Sequence, residues 1–352
     1  MKLVTTKLDA DDSTDPTSWR VALVLPNGRL IRLVALARLA PDILAEEIDT
    51  LDLATVVALD PSGDAIARAL EVAGPTAVQA ASTGPEECRL TAAVPRPAKV
   101  VGVGYNYLDH IREQGLEKPS RPTLFSKFAS SVVGDGSPIR HPAGTHALDF
   151  EAELAVVIGR RAHGVSARDA ARCIGGYCVA NDVTARDWQG QAPALGPGEK
   201  GDGQWLRAKG SDTFMPLGAM FVTPDELDAV PGATRDGRGL AVRSWLTKAS
   251  GTDAGREIQM QDGNTSDLLF GVPELISIIS SEVTLERGDI ILTGTPSGVG
   301  VWRKPPVFME PGDLVRVEVA GVGSMTNPVA DAAGHVPDGS PADRFLRGLV
   351  PA

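Results

Sequence analysis

Cysteine is scarce in this 352-residue chain. The three present, Cys88, Cys173 and Cys178, are odd in number and form no C-x-x-C pair, so they read as small buried hydrophobes in a reducing cytoplasm. No run approaches about 18 consecutive apolar residues, which argues against a membrane-spanning helix. The opening MKLVTTKLDADD turns acidic before any apolar stretch, so no secretory signal is expected. Long blocks of Lys or Arg are missing too. With a formal net charge of −11, the chain would repel a nucleic-acid backbone or an anionic membrane. Fixed-period repeats are not evident.

What remains is the composition of a packed, turn-rich protein. Hydrophobic residues make up 43%, enough for a full core, and 38 glycines with 26 prolines point to many turns. RVALVLPNGRLIRLV (20–34) reads as a hairpin around Pro26-Asn27-Gly28. LDPSGDAIARALEVAG (59–74) predicts a helix opened by Asp60 or Ser62 and closed by Gly74. Residues 80–100 mix Pro, Gly and polar residues as a linker would. Beyond them, short apolar runs such as VVGVGYNY, GGYCVANDV, LGAMFVT and DIILTGTPSGVG alternate with turns. Between these runs only short helices fit, over Leu108–Gly115, Ser166–Ile174 and Val272–Ser280. The expectation is a β-rich α+β fold, with a small N-terminal α+β domain and linker over 1–94 and a larger β-rich domain over 95–352.

One stretch resists a purely structural explanation. In LDFEAELAVVIGRR (148–161), a strand would carry Phe150, Ala152, Leu154, Val156 and Ile158 on one face and Asp149, Glu151 and Glu153 on the other. Two such charges about 5 Å apart repel by roughly 3 kcal/mol at an effective dielectric near 20. Either solvent wets that face, or a cation neutralises it. GGYCVANDVTARDWQ (175–189) supplies a second acid, Asp182, where an apolar strand stops. It reads as a helix cap or as a third oxygen donor. Carboxylates without a His or Cys cluster suit Mg²⁺, Mn²⁺ or Ca²⁺ rather than zinc. His141 and His146, five apart in a turn-like segment, read as surface residues. His110 and Glu113 lie three apart on a short helix, hence on one face, where Glu113 can orient the imidazole.

The motifs LDFEAELAVVIG, NDVTARDWQ, KGSDTFMPLG and LTGTPSGVG, in this order, resemble the fumarylacetoacetate hydrolase family. VGVGYNYLDHIREQG and EPGDLVRVEVAGVGSMTNPV extend the resemblance to about residues 95–330. It implies a mixed β-roll catalytic domain and a metal site of Glu151, Glu153 and Asp182 holding Mg²⁺ or Mn²⁺, with Ca²⁺ also compatible. Asp149 falls one strand step outside that set. The resemblance further implies catalytic roles for His110, Glu113 and Lys209, with His110 and Glu113 on a lid. Substrate contacts are expected from Lys127, Gln189, Thr213 and Thr295, and the assembly is expected to be a homodimer.

The implied activity is metal-dependent hydrolysis of a carbon–carbon bond in a 2,4-dioxo acid, of the acylpyruvate type. Oxo-acid decarboxylation or hydroxy-dienedioate isomerisation would use the same metal set. A metal-stabilised binding protein without catalysis is the reading from a different class. The sequence departs from the family pattern at Phe128 and Ala219, where proline is common, and in the Gly/Pro-rich stretch 190–208, expected to be a mobile rim of the pocket.

Overall fold

The computed structural model describes residues 1–8, 19–45, 48, 53–60, 63–196 and 199–348. Its backbone is a ten-stranded sheet that the central strand Ala152–Ile158 runs through. This strand pairs antiparallel with Ile174–Asn181 on one side and with Ile290–Leu292 on the other. Outward from Ile174–Asn181 come Met220–Val222, Lys2–Leu8, Arg20–Val24 and Leu30–Arg32. In the other direction, Ile290–Leu292 pairs parallel with Val100–Gly104, which pairs with the edge strand Thr123–Lys127. A second sheet of five strands is ordered Glu257–Asn264, Ala241–Thr247, Leu314–Val319, Gly323–Ala330 and Ile139–Arg140.

Side-chain alternation on the central strand explains the layering. Leu154, Val156 and Ile158 enter a core shared with Val242, Leu246, Val315 and Val317 of the five-stranded sheet. Ala155 and Val157 enter a different core, shared with Leu33, Leu36, Val56, Ile66 and Val78 of the N-terminal helices. A strand buried on both faces reads as a continuous apolar run, which AELAVVI is, apart from Glu153. The fold is α+β, as expected.

The N-terminal region is more helical and more closely tied to the rest than its sequence suggests. The hairpin forms, with Ala22 opposite Arg32 and Val24 opposite Leu30. The helix expected to close at Gly74 instead resumes, so the helical span is Asp64–Ala81. Gly74 takes φ 73°, a conformation open to glycine, and Pro75 then starts a new helical turn, where a missing N–H costs little. The Asp60 carboxylate accepts the N–H groups of Ala65 and Ile66 (3.2 and 2.9 Å); Ser62 lies outside the described residues. Within the expected linker, Cys88–Leu90 pairs with Lys2–Leu8, and Ala92, Ala93 and Val94 are buried. Hydrogen bonding therefore runs on from the N-terminal strands through Met220–Val222 into the central sheet.

Leu154→Ala should test the position of the shared core. Deleting a fully buried leucine costs about 2–5 kcal/mol, whereas Leu124→Ala on the exposed edge strand should stay within about 0.5 kcal/mol. Denaturant midpoints of the two variants should separate accordingly.

Candidate metal and catalytic site

The acidic stretch is not one strand but two. Leu148–Asp149 pairs with Thr184–Ala185, and the central strand starts only at Ala152. The backbone at the break is satisfied by side chains. Glu151 donates its N–H to Asn181 Oδ1 (2.9 Å), and Ala152 donates to Gln261 Oε1 (3.0 Å). The Ala152 carbonyl accepts from the Thr295 hydroxyl (2.9 Å), and the Glu151 carbonyl accepts from the Asp182 N–H (2.9 Å). This last bond brings Asp182, at the end of the neighbouring strand, beside the two glutamates. One carboxylate oxygen from each of Glu151, Glu153 and Asp182 lies within 4.8 Å of the others, all three residues being buried.

Three buried cations answer these acids. Lys209, on the helix Trp205–Gly210, donates to Glu151 Oε2 (2.7 Å) and Asp182 Oδ2 (2.6 Å). Arg186, on the helix Arg186–Gln189, donates from Nε to Asp149 Oδ2 (2.8 Å) and pairs through Nη2 with Glu151 (2.6 Å). Lys127 donates to Asp182 Oδ1 (2.5 Å) and to the Val183 carbonyl (3.2 Å). Burial alone would raise the Glu151 carboxyl, but Lys209 and then Arg186 hold it down at about 2. Lys209 is raised despite its burial, because Asp182 and Glu151 favour its charge. For Lys127 burial wins, and its ammonium is lowered.

Glu153 is the acid without a cationic partner among these contacts. Its Oε2 accepts the Gly294 N–H (2.8 Å), while burial, then Asp182 and Glu151, push its carboxyl well above the usual range. Four carboxylates, counting Asp149, face three cationic side chains. One negative charge is left over, and it sits where three hard oxygen donors converge. The residues present therefore fit a divalent cation.

The histidine stands across the cleft from this cluster. His110 Nδ1 lies 2.5 Å from Glu113 Oε1, within one helical turn of Leu108–Glu113. Glu113 in turn accepts the Gly298 N–H (3.1 Å), and Asp109 accepts the Ser297 N–H and hydroxyl (3.1 and 2.7 Å). Gly298 has φ 101°, and a Cβ there would collide with the Met260 carbonyl. The segment expected as a lid is thus clamped onto the turn after Ile290–Leu292, with His110 buried beneath it. Asp149 braces that turn from the other side, accepting the N–H groups of Gly300 and Val301 (2.8 and 3.0 Å).

A cleft joins these parts. Of the residues expected in the site, His110, Glu151, Glu153, Gln189, Lys209 and Thr295 line it. Asp182 is not among the lining residues; Lys209, which does line the cleft, and Lys127, which does not, each bind one of its oxygens. Lys127 and Thr213, expected to touch substrate, are not among the lining residues: Lys127 is sealed behind Asp182, and the Thr213 hydroxyl accepts the Arg140 N–H (2.9 Å). His141 and His146 stay outside the carboxylate group. Arg186, Tyr105, Gln114, Phe125, Gln191, Trp205 and Trp302 also line the cleft and were not singled out from sequence. A charge count on NDVTARDWQ could have found Arg186. The aromatic residues carry no comparable signal. Gln191 and Trp205 show that the Gly/Pro-rich stretch 190–208 does supply part of the wall.

Comparison with known proteins adds the lineage. The family model "Fumarylacetoacetate (FAA) hydrolase C-terminal" matches residues 99–330. The chain is 37% identical over 310 residues to a Xenopus laevis protein named oxaloacetate tautomerase fahd2, mitochondrial, covering 86% of this chain and 90% of that one. It is 45% identical over 243 residues to oxaloacetate tautomerase FAHD2A, mitochondrial, of Bos taurus, covering 69% and 70%. Among solved structures, the 5-carboxymethyl-2-hydroxymuconate delta-isomerase of Mycobacterium smegmatis superposes with TM-score 0.64 at 30% identity, covering 94% of this chain and 99% of that one.

Glu153→Gln should separate metal binding from folding. The variant should lose divalent metal, measured by calorimetry, yet melt higher than the parent when both are in chelator. Replacing a carboxyl whose surroundings disfavour its ionisation by a neutral amide of the same shape should be worth about 1 kcal/mol or more, which is a rise of roughly 2 °C for a chain of this size. A parent that binds no Mg²⁺ or Mn²⁺ would refute the assignment.

Proposed function

Because the chain belongs to the fumarylacetoacetate hydrolase family, we propose that it is a metal-dependent hydrolase that cleaves the C3–C4 bond of a 2,4-dioxo acid, an acylpyruvate. The observation that carries this reading is the His110–Glu113 pair, its histidine buried at a cleft lined by Glu151 and Glu153, two of the three convergent carboxylates. Glu113 occupies Nδ1, so Nε2 is the ring nitrogen left to exchange a proton.

Mg²⁺ or Mn²⁺ held by Glu151, Glu153 and Asp182 would supply a Lewis acid for the oxygen that becomes enolate, with Ca²⁺ a weaker fit to that role. The chain's own residues do the rest. His110 Nε2 takes a proton from water as the water oxygen attacks C4, and Glu113 stabilises the imidazolium. The C3–C4 bond then breaks, its electron pair stays with the pyruvate half, and the proton on His110 returns to C3. The products are a carboxylic acid and pyruvate. Lys209 and Arg186 keep the carboxylates ionised and in place, and Lys127 supports Asp182 from behind. Gln189 and Thr295 are the proposed substrate contacts from the cleft wall.

A second reading is favoured by the relatives' names. Keto–enol tautomerisation of oxaloacetate, like isomerisation of a hydroxy-dienedioate, needs His110 to move a proton at C3 but needs no attacking water. Oxaloacetate decarboxylation likewise needs no water. Turnover of any of these acids would dismiss a purely structural role for the metal site.

Cys88, Cys173 and Cys178 form no disulfide, in keeping with the proposed cytoplasmic setting; among the described residues no helix is long and apolar enough to cross a membrane. The proposal includes a homodimer, so light scattering at working concentration should return twice 36.8 kDa, and a mass of 36.8 kDa would refute it.

His110→Ala should reduce acylpyruvate cleavage by about 10²–10⁴-fold while leaving Mg²⁺ affinity nearly unchanged. Oxaloacetate decarboxylation by the same variant should fall far less. Equal loss of both would show that His110 positions substrate rather than activating water. If the parent interconverts the oxaloacetate tautomers but splits no acylpyruvate, the second reading replaces the first.

A further inference from the structure

Beside its ionic side chains, the cleft is lined by four aromatic residues, Tyr105, Phe125, Trp205 and Trp302. Trp205 stands between Tyr105 and Phe125, its ring centroid 6.3 Å from the first and 5.6 Å from the second, tilted at 60° and 58°. Trp302 lines the same space. Two of the chain's five tryptophans and one of its three tyrosines thus stand at one cleft, although Trp302 also packs against the apolar cluster of Ala147, Ala194, Val299 and Val301. Tyr105 has φ 56°, a conformation seldom adopted outside glycine, and such strain persists where surrounding structure requires it. Besides Lys209, whose ammonium stands 4.8 Å over the Phe125 ring, the lining carries three neutral amides, Gln114, Gln189 and Gln191.

Charge supply points the same way. The permanently cationic residues lining the cleft, among the described residues, are Arg186 and Lys209, and each already contacts two carboxylates. With a divalent ion added to a cluster that is one charge negative, one positive charge remains. That is enough for the carboxylate next to the 2-oxo group. A second carboxylate at the distal end would be desolvated without a partner.

We propose that this cleft selects 2-oxo monoacids whose distal group is flat and uncharged, an aryl or conjugated acyl group, with Trp205 and Tyr105 as the specificity-determining residues. The inference rests on the 2-oxo-acid reading above and names its substrate class. It sets this chain apart from proteins named for the dicarboxylate oxaloacetate or the tricarboxylate 5-carboxymethyl-2-hydroxymuconate.

Benzoylpyruvate, acetylpyruvate and succinylpyruvate, compared on the Mg²⁺-loaded protein, give the test. Benzoylpyruvate should exceed succinylpyruvate by at least about 10-fold in kcat/KM, the scale that ring stacking and an unpaired charge together provide. Trp205→Ala should raise KM for benzoylpyruvate about 10-fold with little change in kcat, and leave acetylpyruvate, which has no ring, nearly unaffected. Trp205→Phe should restore the preference. Should Trp205→Ala fail to fold, Tyr105→Asn removes a ring while keeping a residue that tolerates positive φ. Calorimetric binding of the same acids to His110→Ala reads selectivity apart from catalysis. If none is cleaved by the parent yet benzoylpyruvate still binds His110→Ala more tightly than succinylpyruvate, the hydrolase reading fails and this one stands. If succinylpyruvate binds or reacts as well as benzoylpyruvate, or Trp205→Ala weakens all three equally, this inference is overturned.

Discussion

Four carboxylates and three cations share a space from which water is largely excluded, and the half of the molecule that carries the cleft is arranged around that fact. Arg186 spans Asp149 and Glu151, Lys209 spans Glu151 and Asp182, and Lys127 holds the far oxygen of Asp182. A buried ion left without a partner costs several kcal/mol, so none of these side chains can shift alone. The helices carrying Arg186 and Lys209 and the edge strand carrying Lys127 are thereby pinned to the central strand through charge as well as through packing. Glu153, lacking a cation of its own, marks where the protein leaves the balance incomplete.

The turn that follows Ile290–Leu292 performs the matching task with backbone amides. Gly294 donates to Glu153, Ser297 to Asp109, Gly298 to Glu113, and Gly300 with Val301 to Asp149. One short loop therefore fixes the distance between the carboxylate cluster and the His110 pair. Donors and charges held this way need no reorganisation when a substrate reacts, which is the general advantage of a preorganised site.

Much of this was legible in the residue order, for identifiable reasons. Glu151 and Glu153 could be placed together because strand periodicity puts alternate residues on one side, and His110 and Glu113 because helix periodicity does the same. The helix Val272–Ser280 and the hairpin at 20–32 follow from local pattern and appear at the expected positions. Contacts that depend on distant pairing were not legible. The break at Phe150–Glu151 exists because Asn181 and Gln261 accept the freed N–H groups, and nothing local announces that. Cys88–Leu90 looked like linker because its pairing partner, Lys2–Leu8, lies some eighty residues earlier. Lys127 read as a substrate contact from its motif, yet only the fold reveals that Asp182 stands in front of it. The aromatic wall drew residues 105, 125, 205 and 302 from four separate segments, a convergence that periodicity cannot encode.

The central strand belongs to two cores at once, and this bears on what can be removed from the molecule. Ala155, Val157, Cys178, Ala180, Ile290 and Leu292 turn toward the N-terminal helices rather than toward the five-stranded sheet. Cutting the chain after residue 94 would strip that face and present a broad apolar plane to water, directly behind the strand that carries Glu153. Such a plane invites self-association. Any attempt to graft this cleft-bearing half onto another scaffold has to bring a cover for its back.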